Sequence, residues 1–280
     1  MRKVAAEEVI RALKELSQNA NYNLGEDVIT ALRKGAETEE SPLGKEILNQ
    51  ILENSGIAES EKMPLCQDTG LAAIFVELGQ DVSVSGGDFE EAVQEGIRQG
   101  YGKGFLRKSM VEDPLRRKNT GDNTPGVISI RIVAGDKIKI TILPKGGGSE
   151  NMSAIKMLKP SDGENGVKDF IVETIRIAGG NPCPPIIVGV GIGGSFDKCA
   201  YLAKKSLLRE VGSVHPDPYY ASMETELFKR VNDLGIGPQG LGGRTTALAV
   251  HIETHPCHIA SLPVAVNTQC HSARHKEILI

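Results

Sequence analysis

Apolar residues at helical spacing dominate the first 60 residues of the chain. One apolar stripe recurs every three or four residues and consists of Val9, Ile10, Leu13 and Leu16. Ser41 followed by Pro42 is a typical N-cap and first helical residue, so a further helix is predicted to begin there. Asn54-Ser-Gly56 is predicted to end that helix. The sequence therefore predicts a helical N-terminal segment, residues 1–60.

Shorter apolar runs in the rest of the chain predict strands. These runs lie at residues 71–78, 126–133, 137–142, 186–190, 245–254 and 259–266. Helical patterns lie between them at residues 88–99, 167–178, 196–211 and 224–234. The turn Ala134-Gly-Asp136 predicts a hairpin between the second and third runs, and the last two runs are predicted to form a second strand pair. Because helices and strands alternate without a long linker or repeat, we predict one α/β domain, residues 1–280, with mixed β-sheets flanked by helices.

Composition and charge exclude several classes of protein. Aromatic residues make up 4% of the 280 residues and Trp is absent, which argues against a nucleic-acid surface built on base stacking. The formal net charge of −4 gives no general attraction to phosphate backbones or anionic lipid. No apolar run approaches the length of a transmembrane helix, and the acidic N-terminus lacks the apolar core of a signal peptide. We therefore expect a cytoplasmic protein that binds neither nucleic acid nor membrane.

Three of the five cysteines lie in settings that a packed core does not require. Cys66 precedes a polar turn, Cys183 stands between two prolines, and Cys270 is followed by polar residues. They are not the closely spaced pairs of zinc ribbons or ferredoxins, and an odd number of cysteines favours reduced thiols over disulfides. Three thiolates brought to one point could hold a metal cluster and leave one metal atom open to substrate. For Cys199 and Cys257 a simpler interpretation, a small apolar side chain, is preferred.

Two glycine-rich segments follow predicted strands. They are Lys145-Gly-Gly-Gly-Ser149 and Gly189-Val-Gly-Ile-Gly-Gly194. The second fits the G-x-G-x-x-G pattern of dinucleotide-binding folds, but Glu210, the acidic residue near the expected distance, falls at the end of a helix rather than of a second strand. Either segment could instead present backbone N–H groups to a substrate carboxylate, or form a tight turn that requires glycine.

Charged and histidine side chains offer further chemistry. Arg107 stands near the polar loop at residues 119–125, where it could bind a carboxylate through two hydrogen bonds; taken alone, it would be a solvated surface charge. Five histidines fall in the last 30 residues, namely His251, His255, His258, His271 and His275. They suggest a zinc patch, although their spacing does not give the HExxH geometry of a helix. A non-catalytic zinc-binding subunit therefore stays open as an alternative.

Taken together, these motifs resemble the alpha subunit of two-subunit class I fumarate hydratases and of the related L-tartrate dehydratases. They also resemble the N-terminal half of single-chain class I fumarases. The resemblance runs nearly end to end and is carried by the Cys-Gln-Asp-Thr-Gly string within Pro64–Gly70, by Leu106-Arg107, by Asn119-Thr-Gly121, and by residues 145–149, 189–195 and 258–270.

The resemblance implies a [4Fe–4S] cluster that three cysteines hold, with the fourth iron open. By motif and order these ligands would be Cys66, Cys183 and Cys270. The open iron would act as a Lewis acid in the reversible hydration of fumarate to L-malate, a reaction of the tricarboxylic acid cycle. The L-tartrate dehydratase alpha subunit is the alternative. Because hydration is redox-neutral, the glycine pattern need not mean a nicotinamide cofactor.

The resemblance also implies roles for neighbouring residues and a partner. Asp68 and His258 would take part in catalysis, and Gln67, Arg107 and Gly147 would bind the substrate, a small dicarboxylate (fumarate and malate, or tartrate). A beta subunit would supply further arginines, a lysine and a catalytic hydroxyl, so this chain should be inactive alone. We expect an α2β2 assembly.

Overall fold

The structure is a computed structural model that describes all of residues 1–280. The chain forms two compact units. Unit 1 comprises residues 1–24, 54–147 and 274–280, and unit 2 comprises residues 25–53 and 148–273. That residues 1–280 act as one domain stays a prediction, and each unit is described by itself.

The chain contains both helices and strands throughout its length. The helices are α1 (Ala6–Tyr22), α2 (Glu26–Thr38), α3 (Pro42–Glu61), α4 (Phe89–Lys103), α5 (Gly147–Glu150), α6 (Gly163–Ala178), α7 (Phe196–Ser206) and α8 (Pro218–Asn232). The strands are β1 (Arg2–Ala5), β2 (Leu71–Gly79), β3 (Val82–Ser85), β4 (Val127–Val133), β5 (Ile138–Lys145), β6 (Ala154–Leu158), β7 (Ile186–Gly193), β8 (Ala247–His255), β9 (Leu262–Gln269) and β10 (Lys276–Leu279). The predicted α/β class with mixed sheets is confirmed.

Unit 1 is built on a four-stranded sheet in the order β10-β5-β2-β4. Strand β2 runs parallel to β4 and antiparallel to β5, and β10 runs antiparallel to β5. Helices α1 and α4 pack together and share one core with this sheet. Their close approach depends on Gly96, since a Cβ there would lie 2.7 Å from the Cβ of Leu13. Of the predicted stripe, Val9, Leu13 and Leu16 are buried, whereas Ile10 is half-buried.

The predicted hairpin between β4 and β5 is wrong, because β2 lies between the two strands. The last residue of β2 and the residue after it form hydrogen bonds with carbonyl groups that a hairpin would have used. The N–H of Gly79 donates to the Lys137 carbonyl at 2.8 Å. The N–H of Gln80 donates to the Val133 carbonyl at 2.8 Å. The connection from β4 to β5 therefore crosses the end of β2, and both strands pair with β2.

Unit 2 is built on a second four-stranded sheet, in the order β6-β9-β7-β8. Strand β7 runs parallel to β8 and antiparallel to β9. The predicted pairing of residues 245–254 with 259–266 is therefore wrong for the same reason, since β8 and β9 both pair with the central β7. Helices α6 and α8 form a core with this sheet whose members include Ile171, Ile175, Val188, Leu227, Val250 and Val264.

The glycines of the G-x-G-x-x-G pattern have a packing explanation. Gly189 and Gly191 lie inside β7 rather than in a turn between strand and helix. A Cβ on Gly189 would lie 2.2 Å from the Ala203 carbonyl oxygen. A Cβ on Gly191 would lie 2.1 Å from the Cys199 carbonyl oxygen. Both glycines therefore allow α7 to pack directly against β7.

Helix α3 continues beyond its predicted end at residues 54–56 and stops at Glu61. Gly56 lies within the helix, and no atom lies within 4 Å of the position that its Cβ would take. A glycine at such an open position lowers helix stability without ending the helix. Ala58, which is buried, continues the apolar face into the added turn. No helix of the chain is both long and apolar enough to cross a membrane.

Candidate functional site

Cys66 lies in unit 1, in a segment between α3 and β2 that we call the Cys66 loop (residues 63–70). Its thiol is free and partly exposed. The main-chain N–H of Asp68 donates to the Cys66 sulfur, with N to Sγ at 3.4 Å. Hydrogen bonds of this kind stabilise negative charge on a metal-bound sulfur. Gly70 closes the loop at φ +71°, where a Cβ would lie 2.6 Å from the main chain of Lys145.

The Asp68 carboxylate joins the Cys66 loop to the triple-glycine loop (residues 146–148). Oδ1 accepts the Gly70 N–H at 3.1 Å, and Oδ2 accepts the Gly147 N–H at 2.8 Å. Both carboxylate oxygens are therefore engaged with main-chain groups, and the Gly147 N–H is donated to Asp68. Asp68 thus fixes two loops against each other although they are distant in the sequence.

Buried polar side chains that the sequence analysis missed hold the end of the Cys66 loop. The Arg274 guanidinium is 1% exposed and donates through Nη2 to the Asp68 carbonyl. The Tyr101 hydroxyl lies 2.9 Å from a carbonyl of the loop, and Asn123 donates to another at 3.1 Å. Burial raises the pKa of Tyr101 well above its usual value, so the hydroxyl stays protonated and donates. The sequence signal that could have found Arg274 is its position four residues after Cys270.

Arg107 lies beside the Cys66 loop. Its main-chain carbonyl accepts the Thr69 hydroxyl at 3.0 Å, and its side chain is exposed. Gln67 is exposed as well. An exposed guanidinium and an exposed amide can bind the carboxylate of a small molecule.

Cys183 and Cys270 belong to unit 2, where hydrogen bonds join their loops. Cys183 is exposed and has φ +57°, and Cys270 directly follows β9. The His271 N–H donates to the Cys183 carbonyl, with N to O at 3.3 Å. The structure therefore brings these two cysteine loops together although they are distant in the sequence.

Gln239 is another residue of this region that the sequence analysis missed. Its main-chain N–H and its side-chain Nε2 both donate to the Pro184 carbonyl, each at 2.8 Å. The same Nε2 lies 3.0 Å from Nδ1 of His271. One side chain thus contacts the residue after Cys183 and the residue after Cys270.

His258 lies in the exposed loop between β8 and β9 of unit 2. The Ala260 N–H donates to its Nδ1 at 3.1 Å. Because Nδ1 accepts, the neutral imidazole carries its proton on Nε2, from which it can donate to an anion. His251, in contrast, is buried. No three His, Cys, Asp or Glu side chains gather closely enough to hold a single metal ion.

The remaining cysteines lie in other surroundings. The Cys199 thiol is buried and donates to the Gly191 carbonyl at 3.1 Å, and burial raises its pKa to about 12. The Cys257 thiol is exposed and donates to the Ser261 carbonyl at 3.3 Å.

The residues that the sequence analysis selected are divided between the two units. Unit 1 holds Cys66, Gln67, Asp68, Arg107 and Gly147, and unit 2 holds Cys183, His258 and Cys270. That the three cysteines converge stays a prediction. Their chemistry fits an iron–sulfur cluster, because none of the three cysteines forms a disulfide or lies within a helix or strand, and the Cys66 sulfur accepts a main-chain N–H.

Comparison with known proteins identifies the class. The chain matches the family described as fumarate hydratase (Fumerase) over residues 10–279. It is 48% identical over 233 residues to a putative L(+)-tartrate dehydratase subunit alpha of Methanocaldococcus jannaschii, and the match covers 81% of each chain. It is 38% identical over 220 residues to the L(+)-tartrate dehydratase subunit alpha of Escherichia coli strain K12, which covers 78% of this chain and 72% of the relative. The class is that of the hydro-lyases. Within it, the chain belongs to the fumarate hydratase family.

Proposed function

We propose that this chain is the alpha subunit of a class I iron–sulfur hydro-lyase that, together with a beta subunit, reversibly hydrates fumarate to L-malate. One observation carries the proposal. In a member of the fumarate hydratase family, Asp68 ties the Cys66 loop to the triple-glycine loop, beside the exposed Arg107.

Cys66, Cys183 and Cys270 would hold a [4Fe–4S] cluster. When bound, such a cluster supplies an open Lewis-acidic iron that polarises a substrate hydroxyl and carboxylate. The absence of disulfides at these cysteines and the N–H donated to the Cys66 sulfur support this assignment.

The chain's own residues would bind and orient the substrate. The Arg107 guanidinium offers two parallel N–H donors to one carboxylate, and the Gln67 amide adds a further hydrogen bond. The hydrogen bonds from these groups become stronger as negative charge accumulates on the carboxylate during proton removal. His258 would hold or donate a proton at Nε2, because its Nδ1 is already occupied by the Ala260 N–H.

Asp68 and Gly147 would shape the binding loop. Both carboxylate oxygens of Asp68 accept hydrogen bonds from main-chain N–H groups, so the carboxylate holds the Cys66 loop against the triple-glycine loop. Gly147 is exposed and has no side chain, so a dicarboxylate could approach the loop there, while the Gly147 N–H itself is donated to Asp68.

L(+)-Tartrate dehydration is the second candidate reaction, favoured by the names of the two relatives. Both reactions add or remove water next to a carboxylate of a four-carbon diacid, so the same residues could serve either. Those relatives are named as alpha subunits, which supports a beta partner, and we propose an α2β2 assembly in the cytoplasm.

Anaerobic copurification with the beta subunit tests this function. We expect a brown complex with about four iron ions per alpha chain, activity on fumarate and L-malate or on L(+)-tartrate, and no activity of the alpha chain alone. Air should abolish the activity until iron and reductant are restored. The ratio of kcat/KM for fumarate and for L(+)-tartrate decides between the two reactions. A colourless zinc protein, or full activity of the alpha chain alone, would contradict the proposal.

A further inference from the structure

Arg274 is the largest side chain that the structure buries almost completely, with 1% exposure. Its Nη2 donates to the neutral carbonyl of Asp68. Its Nε and Nη1 are buried and have no hydrogen-bond partner. The folded chain therefore encloses a guanidinium most of whose hydrogen-bonding capacity is unused.

An enclosed positive charge is costly unless negative charge nearby compensates it. Water does not reach the guanidinium, so its field is screened far less than that of a surface arginine. Because Nε and Nη1 are closed off by protein atoms, no substrate can contact them directly. Arg274 can therefore act only through the residue that it holds and through its electric field.

The residue that Arg274 holds is itself a central part of the site. The carbonyl of Asp68 accepts from Arg274, while the N–H of the same residue donates to the Cys66 sulfur at 3.4 Å. Its carboxylate in turn accepts the Gly147 N–H. A shift of Asp68 would therefore disturb both the cysteine ligand and the glycine loop.

We propose that Arg274 is a positioning residue for the iron–sulfur site: it fixes Asp68 behind the Cys66 sulfur, and its buried charge offsets the negative charge of a thiolate-held cluster. The inference rests on the proposed function. Net charge and hydrogen bonds to the sulfurs are among the features that set the reduction potential of such clusters, and outer contacts tune metal affinity.

The test compares Arg274→Met with Arg98→Met in the anaerobic alpha–beta complex. Arg98 also belongs to unit 1, but it is 43% exposed and already paired with Glu95 and Asp122. For Arg274→Met we expect iron release to a chelator to be roughly 10-fold faster. We also expect a more negative reduction potential and a smaller rise in Tm on cluster reconstitution. Arg98→Met should match the wild type in all three measurements.

Arg274→Lys separates the charge from the hydrogen bond and serves if the methionine variant does not fold. It keeps the positive charge without the planar guanidinium, so its reduction potential should stay close to the wild-type value while iron release is faster. Wild-type iron release and potential in Arg274→Met would overturn the inference. A reduction potential in Arg274→Lys that is shifted as far as in Arg274→Met would also overturn it, because the lysine keeps the positive charge. A wild-type complex that holds no cluster would instead contradict the proposed function itself, and the inference with it.

Discussion

At the scale of single residues, the site depends on buried polar side chains as much as on the exposed ones that the motifs reveal. Asp68 stands inside a recognisable string, and the sequence alone selects it. Gln239 and Arg274 have no local signal of that kind, because their partners, Pro184 and the carbonyl of Asp68, come from distant segments. Sequence reasoning therefore selects the proposed ligands and the proposed substrate-binding residues, but not the buried residues that contact their loops.

Glu39 gives a residue-scale prediction about pH. Its buried carboxylate accepts the N–H groups of Ser41, Arg244 and Thr245. Burial alone would raise the pKa of Glu39, but these hydrogen bonds outweigh burial and lower the pKa to about 2. The folded-state pKa lies below the unfolded value, so Glu39 stabilises the fold fully above that unfolded value, and the contribution is lost as the pH falls towards about 2.

We therefore expect Glu39→Gln to lower the free energy of unfolding at pH 7 by on the order of 2 kcal/mol. The difference from the wild type should shrink between pH 4.5 and about 2. Urea denaturation at neutral and acid pH measures both values. Glu37→Gln, an exposed position two residues earlier in the last turn of α2, should change little at any pH. A difference in the free energy of unfolding between the wild type and Glu39→Gln that does not change with pH would contradict this role of the Glu39 carboxylate.

At the scale of elements, local patterns identified the longer strands but missed the short strands β1, β3, β6 and β10, and they did not identify which strands are neighbours. The apolar runs at residues 71–78 and 186–190 became β2 and β7, and each of these strands is central in its sheet. The two predicted strand pairs are wrong because β2 lies between β4 and β5, and β7 lies between β8 and β9. The alternation of apolar and polar residues along a strand indicates which side chains are buried. The order of strands in a sheet depends instead on contacts between segments that are distant in the sequence.

The glycines of β7 give an element-scale prediction. Gly191→Ala would place a Cβ 2.1 Å from the Cys199 carbonyl oxygen, so α7 must move away from β7. We expect a loss of about 3 kcal/mol or more in the free energy of unfolding. Gly56→Ala is the control, because that glycine lies in a helix with no atom within 4 Å of its Cβ position, and alanine there should add about 0.5–1 kcal/mol. Chemical denaturation of both variants checks the signs, and a neutral Gly191→Ala would show that the pattern is not there for packing.

At the scale of the whole molecule, the proposed set of three cysteine ligands is the part of the site that the sequence predicts only through resemblance. Cys66 belongs to unit 1, and Cys183 and Cys270 belong to unit 2. The long spacings between these cysteines match no short metal-binding motif, so the residue pattern by itself shows only three cysteines beside polar or proline residues. The structure adds one physical link within this proposed set. The His271 N–H donates to the Cys183 carbonyl and so joins the loops of Cys183 and Cys270.

Substitution of each cysteine in turn tests the complete set. Cys66→Ser, Cys183→Ser and Cys270→Ser should each abolish the visible absorbance of the cluster and most of the bound iron, because each would remove one of the three thiolates that hold it. Cys257→Ser is the matched exposed control, and Cys199→Ala is the buried one, where the thiol only bonds a carbonyl of β7. Both controls should retain the wild-type iron content in the anaerobic alpha–beta complex. Retention of iron by any of the first three variants would remove that cysteine from the ligand set, and loss of iron in Cys257→Ser would place a ligand in the loop between β8 and β9 instead.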